Sequence, residues 1–284
     1  MSQSLQTYVR SLHATQGERD FAYRVLRHVQ WCLERSFDRV EMWGSMSRGT
    51  AVKGHSDVDI LVVGSFRGIV DVNGRLEYCA ALIRKRQPNA QVEIRLQTHS
   101  LGWKIAGRWV DIVPAIAHGG NDGSTPRFTI GSRRHGGFIG TRRPDCDHTE
   151  LARDLIVFFK KWNYSSRVTF GPHEGTKPFT SFHLETMICQ IVCQEHWDGM
   201  GLQLAIALMF SRLWRACQVP CWWADNDLHQ YLDARAKSAQ QRREAVARQR
   251  FATDCVERAV RSARGAVWLP WHRFVRVLLL PDKE

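Results

Sequence analysis

The spacing of apolar residues changes character near residue 148. Before it, short apolar runs of strand length alternate with stretches of helical period. After it, helical period dominates. Residues 4–14 and 17–36 are predicted helices. In the second, Phe21, Val25, Val29, Cys32 and Leu33 fall on one face, and Glu18, Arg19 and Arg27 take the other. Arg39–Trp43 is a short strand. Asp57–Val63 is apolar beyond its two carboxylates, as suits a central buried strand. Val72–Arg86 is an amphipathic helix with Leu76, Cys79, Leu82 and Ile83 inside, stopped by Pro88. Gln91–Leu96 alternates like a strand. Leu101–Ile105 and Arg108–Val113 flank Gly107 as a hairpin.

From His118 to Asp147, glycines mix with arginines in a long basic loop, with a strand expected at Arg127–Ile130. A loop of this length is either a functional rim or a solvated crossover. Helices then follow at His148–Trp162, Thr180–Trp197 and Leu202–Cys217, and two more are expected within Asp225–Arg264. The tail Val267–Leu280 suits helix or strand equally. The pattern predicts an α/β domain, residues 1–148 with the N-terminal helices, and a helical domain, residues 149–284.

Charge and cysteine content narrow the class. The chain has 284 residues, 44% of them hydrophobic, enough for a real core. It carries 40 Lys and Arg against 28 Asp and Glu, a net charge of +12, which favours anionic partners. No apolar run reaches membrane-spanning length, since Arg212 and Arg215 interrupt the best candidate. The first residues lack the pattern of a secretory leader, so a cytoplasmic location with free thiols is expected for the eight cysteines. Cys189 with Cys193, and Cys217 with Cys221, have helical i,i+4 spacing. Buried structural thiols are the simpler reading, four zinc ligands the alternative.

The candidate chemistry centres on Gly44-Ser45, followed by Ser56-Asp57-Val58-Asp59. A strand presents residues i and i+2 on one face, so Asp57 and Asp59 can share a divalent cation. The Gly/Ser turn offers backbone N–H groups and a hydroxyl to phosphates. Asp111, inside the apolar run Trp109–Ala115, is costly to bury unless something offsets its desolvation. A metal would do so, as would an arginine partner. Three carboxylates converging beside a phosphate cradle would suit a two-metal displacement at phosphorus. For any single Asp, a solvated strand end or a structural ion pair is an equal alternative.

These residues together resemble a known group. Gly44-Ser45-x3-Gly49-Thr50, Ser56-Asp57-x-Asp59 and Val110-Asp111-Ile112-Val113-Pro114-Ala115 resemble the motifs of the DNA polymerase β-type nucleotidyltransferase superfamily. Phe159-Lys160-Lys161-Trp162-Asn163 and Ser181-Phe182-His183-Leu184-Glu185 are similar to segments of the cGAS/DncV-like nucleotidyltransferases (CD-NTases) and the oligoadenylate synthases. The resemblance implies a polymerase β-like core, a mixed sheet with flanking helices, then a helical lobe, with the active site in the cleft between them. It implies that Asp57, Asp59 and Asp111 are catalytic and bind two Mg²⁺ or Mn²⁺ ions. Gly44 and Ser45 would grip phosphate, and Lys160 and Ser181 would hold the donor triphosphate.

The implied substrates are ATP or other NTPs, and the implied product is a cyclic or short linear oligonucleotide messenger in antiviral or antiphage signalling. The basic surface leaves room for an RNA or DNA activator. The zinc-binding His-x5-Cys-Cys-x6-Cys insertion of the animal DNA sensor is missing. Two alternatives stand beside this reading. One is a nucleotidyltransferase acting on RNA ends, a protein or a small-molecule hydroxyl. The other is an inactive RNA-binding module on the same fold.

Overall fold

The structure is a computed structural model, and it describes residues 4–69, 71–95, 100–118, 127–130, 138–141, 149–166, 177–197, 199–218 and 239–279. Most of the Gly/Arg loop, Cys146, Cys221, residues 225–238 and Leu280 lie outside them. The chain divides into two compact units, Ala14–Arg143 and a second made of Met1–His13 with Pro144–Glu284.

The first unit is built on a mixed sheet. Its strands are β1 (Arg39–Trp43), β2 (Val58–Val63), β3 (Gln91–Arg95), β4 (Ser100–Ile105) and β5 (Arg108–His118), in the order β1-β2-β5-β4-β3. Strands β2 and β5 are parallel, and the other pairs are antiparallel. The predicted hairpin closes through Ala106 and Gly107, both at positive φ (48° and 79°), as a two-residue turn with matching strand twist requires. Strand β5 runs five residues beyond the expected Val113. Its far end pairs with β6 (Arg127–Ile130), the strand expected in the basic loop, and β6 pairs with β7 (Phe138–Thr141).

Helices α2 (Gln16–Leu33) and α4 (Val72–Arg86) bury their apolar faces on one side of this sheet. Val29, Leu33, Leu76 and Ile83 pack there with Ile60, Val62, Trp103, Val110 and Ile112, all at most 1% exposed. Each such side chain contributes about 1.5–3 kcal/mol by leaving water. Asp71 caps α4 by accepting the Gly74 N–H at 2.7 Å, and the helix stops at Arg86, two residues before Pro88.

The second unit is helical. It contains α5 (Glu150–Ser165), α6 (Ser181–Gln194), α7 (Leu202–Gln218), α8 (Ala239–Ala266) and α9 (Trp271–Leu279). Thr149 caps α5 by accepting the Ala152 N–H at 3.2 Å. Phe159 lies between Phe210, with ring centroids 4.4 Å apart, and Trp162.

One feature differs from expectation. Helix α1 (Leu5–Leu12), expected with the α/β domain, belongs to the helical unit, because Leu5 and Val9 join that core. Of the stretch expected to hold two helices, residues 239–264 form one continuous helix with no Gly or Pro to break it, and residues 225–238 lie outside the described residues. The tail, whose pattern suited helix or strand, is a helix at Trp271–Leu279, where Phe274, Val275, Leu278 and Leu279 bury one face.

Candidate active site

Strand alternation sorts the sheet's side chains onto two faces. Val58, Ile60, Val62, Val110 and Ile112 meet α2 and α4. The opposite face receives Leu61, Val63, Val113 and Ala115, which cluster with Trp43. Asp59 and Asp111 share that second face, and the parallel register sets them directly level as partners. Neighbouring strands lie about 4.8 Å apart, so the two half-buried carboxylates stand side by side.

Asp57 is placed differently from the expected strand. Strand β2 begins at Val58, so Asp57 sits one residue ahead of it, exposed, at the end of a turn. That turn is held firmly. The Ser56 hydroxyl accepts the Val52 N–H at 2.8 Å, and the Ser56 N–H donates to Val52 O at 3.1 Å. Glu18 of α2 reaches in to accept the Gly54 N–H at 2.8 Å and the Thr15 N–H at 2.7 Å. Burial pushes the Glu18 carboxyl up. The hydrogen bonds from Thr15 and Gly54, with Arg108 nearby, outweigh this and hold it below the usual range.

The Gly/Ser turn folds against Asp59. Trp43 is the register partner of Asp59, and the five-residue helix α3 (Gly44–Arg48) starts on the next residue. Gly44 has φ +65°, and a Cβ there would lie 2.0 Å from Asp59 Oδ2. Only glycine lets the backbone approach the carboxylate this closely. Ser45 follows, half-buried. Thr50 is fully buried, and its N–H closes α3 by donating to Ser45 O at 3.0 Å. Its backbone therefore serves the turn. The structure thus brings Gly44, Ser45, Asp59 and Asp111 together, with Asp57 at the margin.

Lys160 and Ser181 belong to the helical unit. Ser181 is the half-buried first residue of α6. Lys160, which the resemblance assigns to the donor triphosphate, is paired with a carboxylate of its own unit. It is 4% exposed, and Nζ donates to Glu185 Oε2 at 2.6 Å. Its position turns it toward α6, where the carboxylate offsets an ammonium that could not otherwise be buried. Sequence reasoning assigned no role to Asn163. Its buried amide donates to Phe179 O at 2.9 Å and accepts the Phe179 N–H at 3.0 Å, clamping the residues just before Ser181 to α5. A polar residue on the apolar face of α5 was the available signal.

The donor chemistry fits a divalent cation: hard carboxylate oxygens on one face, beside backbone N–H groups for phosphate. Among the described residues, no group of three or more His, Cys, Asp or Glu stands close enough to hold a metal by itself. Among them, too, no helix is long and apolar enough to cross a membrane.

This arrangement has counterparts. The nucleotidyltransferase domain model matches residues 30–111, the stretch holding the Gly/Ser turn and all three carboxylates. The match marks that stretch as a nucleotidyltransferase domain. The chain is 32% identical over 113 residues to the cyclic AMP-AMP-AMP synthase of Escherichia coli (strain MS 115-1). That alignment spans 38% of this chain and 34% of the relative, about a third of its length.

Solved structures extend the likeness in fold to nearly the whole chain. E. coli MS115-1 CdnC in complex with HORMA-deltaN matches with a TM-score of 0.66 at 19% identity, over 97% of this chain and 95% of that one. The Bradyrhizobium diazoefficiens CD-NTase CdnG, in complex with GTP, matches with a TM-score of 0.58 at 13% identity, over 96% and 97%. The chain has the CD-NTase fold.

Proposed function

We propose that this chain is a metal-dependent nucleotidyltransferase that joins nucleoside triphosphates into a cyclic or short linear oligonucleotide messenger. The observation that carries this reading is the level pairing of Asp59 and Asp111 on parallel strands, with Gly44 packed against Asp59. In the reaction, an acceptor hydroxyl forms a bond to the donor α-phosphorus, the bond to pyrophosphate breaks, and pyrophosphate leaves. Gly44 and Ser45 hold the donor phosphates through backbone N–H groups and the Ser45 hydroxyl. Asp57, Asp59 and Asp111 would hold two Mg²⁺ or Mn²⁺ ions, which when bound neutralise phosphate charge and acidify the acceptor hydroxyl. Asp111, on the strand farther from the Gly/Ser turn, serves the acceptor and takes its proton. Ser181 contributes a hydroxyl to the triphosphate. Lys160, tied to Glu185, acts on the position of α6 rather than on phosphate.

ATP or another NTP is the substrate class, in keeping with the relative that makes cyclic AMP-AMP-AMP and the neighbour solved with GTP. A signalling role in antiviral or antiphage defence, a cytoplasmic location and an RNA or DNA activator extend the same reading. The test incubates the protein with radiolabelled NTPs and Mg²⁺ or Mn²⁺, with and without nucleic acid, then with phosphatase. A phosphatase-resistant product that disappears in Asp59→Asn and Asp111→Asn is expected. No product in any mixture refutes the proposal, and label on RNA or protein redirects it to another acceptor.

A further inference from the structure

We infer that Trp109 is the stacking platform for the base of the acceptor nucleotide. The inference rests on the catalytic assignment above and goes beyond it. Trp109 lies two residues before Asp111 on β5, so both project from the same face of the sheet, about 6.6 Å apart along the strand. Asp57 immediately precedes Val58, whose register partner is Val110, and is therefore level with Trp109. On the other side, Lys104 of β4 is the direct partner of Trp109. The row Asp57, Trp109, Lys104 is exposed throughout, and Trp109 itself is 41% exposed. The neighbouring Trp103 faces the other way and is 1% exposed in the core. The sheet thus spends one tryptophan on packing and presents the other beside the carboxylates.

The side of the site follows from the strand order. The phosphate-gripping turn is attached to β1, Asp57 and Asp59 to β2, and Asp111 to β5, with β4 beyond. The donor triphosphate occupies the β1 side. The acceptor must approach Asp111 from the β5 and β4 side, where Trp109 and Lys104 stand. An indole there gives a base a broad π-face one nucleotide's reach from the reacting hydroxyl, and Lys104 supplies a cation to acceptor phosphate. Stacking of this kind needs no particular base edge, so it would suit a site that accepts a nucleotide before its identity is read.

The test compares Trp109→Ala and Trp109→Phe with the parent chain in pyrophosphate release against NTP concentration. It adds equilibrium binding of AMP, as an acceptor mimic, and of inorganic tripolyphosphate, which carries the donor's phosphates and no base. Trp109→Ala should raise KM roughly 10-fold or more while kcat stays within about threefold, and should weaken AMP binding by a similar factor. Trp109→Phe should recover most of both, and tripolyphosphate binding should change by less than about threefold in either variant. An unchanged KM and AMP affinity in Trp109→Ala would overturn the inference. So would an equal loss of tripolyphosphate affinity, which would show a disturbed phosphate site rather than a lost stacking face. If the parent chain releases no pyrophosphate from any NTP, the catalytic assignment fails. The AMP comparison between parent and Trp109→Ala then still decides the role of Trp109, with equal or absent binding overturning it.

Discussion

Gly44→Ala probes the contact on which the site depends. A Cβ at Gly44 would stand 2.0 Å from Asp59 Oδ2 and 2.8 Å from Asp59 Cγ, with the backbone at φ +65°. The left-handed conformation costs a residue with a Cβ about 1–2 kcal/mol. Relieving the clash requires the Asp59 carboxylate to move by about 1 Å or more, off its rotamer, at about 0.5–1.5 kcal/mol. The expected loss of stability is therefore about 2–3 kcal/mol, read by chemical denaturation. A carboxylate misplaced by about 1 Å should lower turnover by about 100-fold, read as product formed per minute. Gly68→Ala separates the two effects. Gly68 has φ +82° and nothing within 4 Å of the added Cβ. It should lose about 1–2 kcal/mol from backbone strain alone and keep its turnover. If Gly44→Ala turns over like the parent chain, or is no less stable than Gly68→Ala, the packing of Gly44 on Asp59 does not position the site.

The Lys160–Glu185 pair, with side chains 5% and 2% exposed, makes a second prediction. Lys160→Met strands a buried carboxylate and should cost about 3–5 kcal/mol, whereas Lys160→Met with Glu185→Leu should regain most of it. A double variant as unstable as the single one in denaturant melts would contradict the pairing. The thiols of Cys79 and Cys217 are pushed up to about 12 by burial, whereas Cys193 is exposed. Iodoacetamide at pH 8 should therefore label Cys193 well before those two, as followed by peptide mass spectrometry; comparable rates would refute the burial. Glu18 is held below the usual carboxyl range, so its stabilising effect is present above the unfolded pKa of about 4.3 and lost as pH falls through the folded value. The difference in Tm between the parent and Glu18→Gln should thus be larger at pH 7 than at pH 3, and a gap that ignores pH would show that the bonds to Thr15 and Gly54 do not bind the carboxylate selectively.

Much of the architecture was legible in the chain because it is locally encoded. Strand β1 and helix α4 fall where period and Pro88 put them. Ala106-Gly107 closes the hairpin the pattern predicted, since the turn needs positive φ and Gly107 adopts it freely. Asp111 was conspicuous because a carboxylate inside an apolar run demands a reason, and Asp57 with Asp59 because their i, i+2 spacing follows a Gly/Ser turn. Where burial depended on partners far along the chain, local pattern was silent. Leu5 and Val9 make an amphipathic helix whichever core they enter, and only the fold seats α1 among α5 and the other helices. A lysine on an apolar helix looks the same whether it meets phosphate or a carboxylate 25 residues later.

By itself, then, the sequence determined the elements, the unusual carboxylates and the glycine that a tight turn needs, because these follow from side-chain chemistry and from residues within a few positions of one another. The tertiary structure decided the register that levels Asp59 with Asp111, the seat of Gly44 against Asp59 and the commitment of Lys160 to Glu185. Those depend on which strands and helices become neighbours. Neighbour choice is made by burying all the apolar faces at once, a sum over the whole unit that no single stretch of the chain contains.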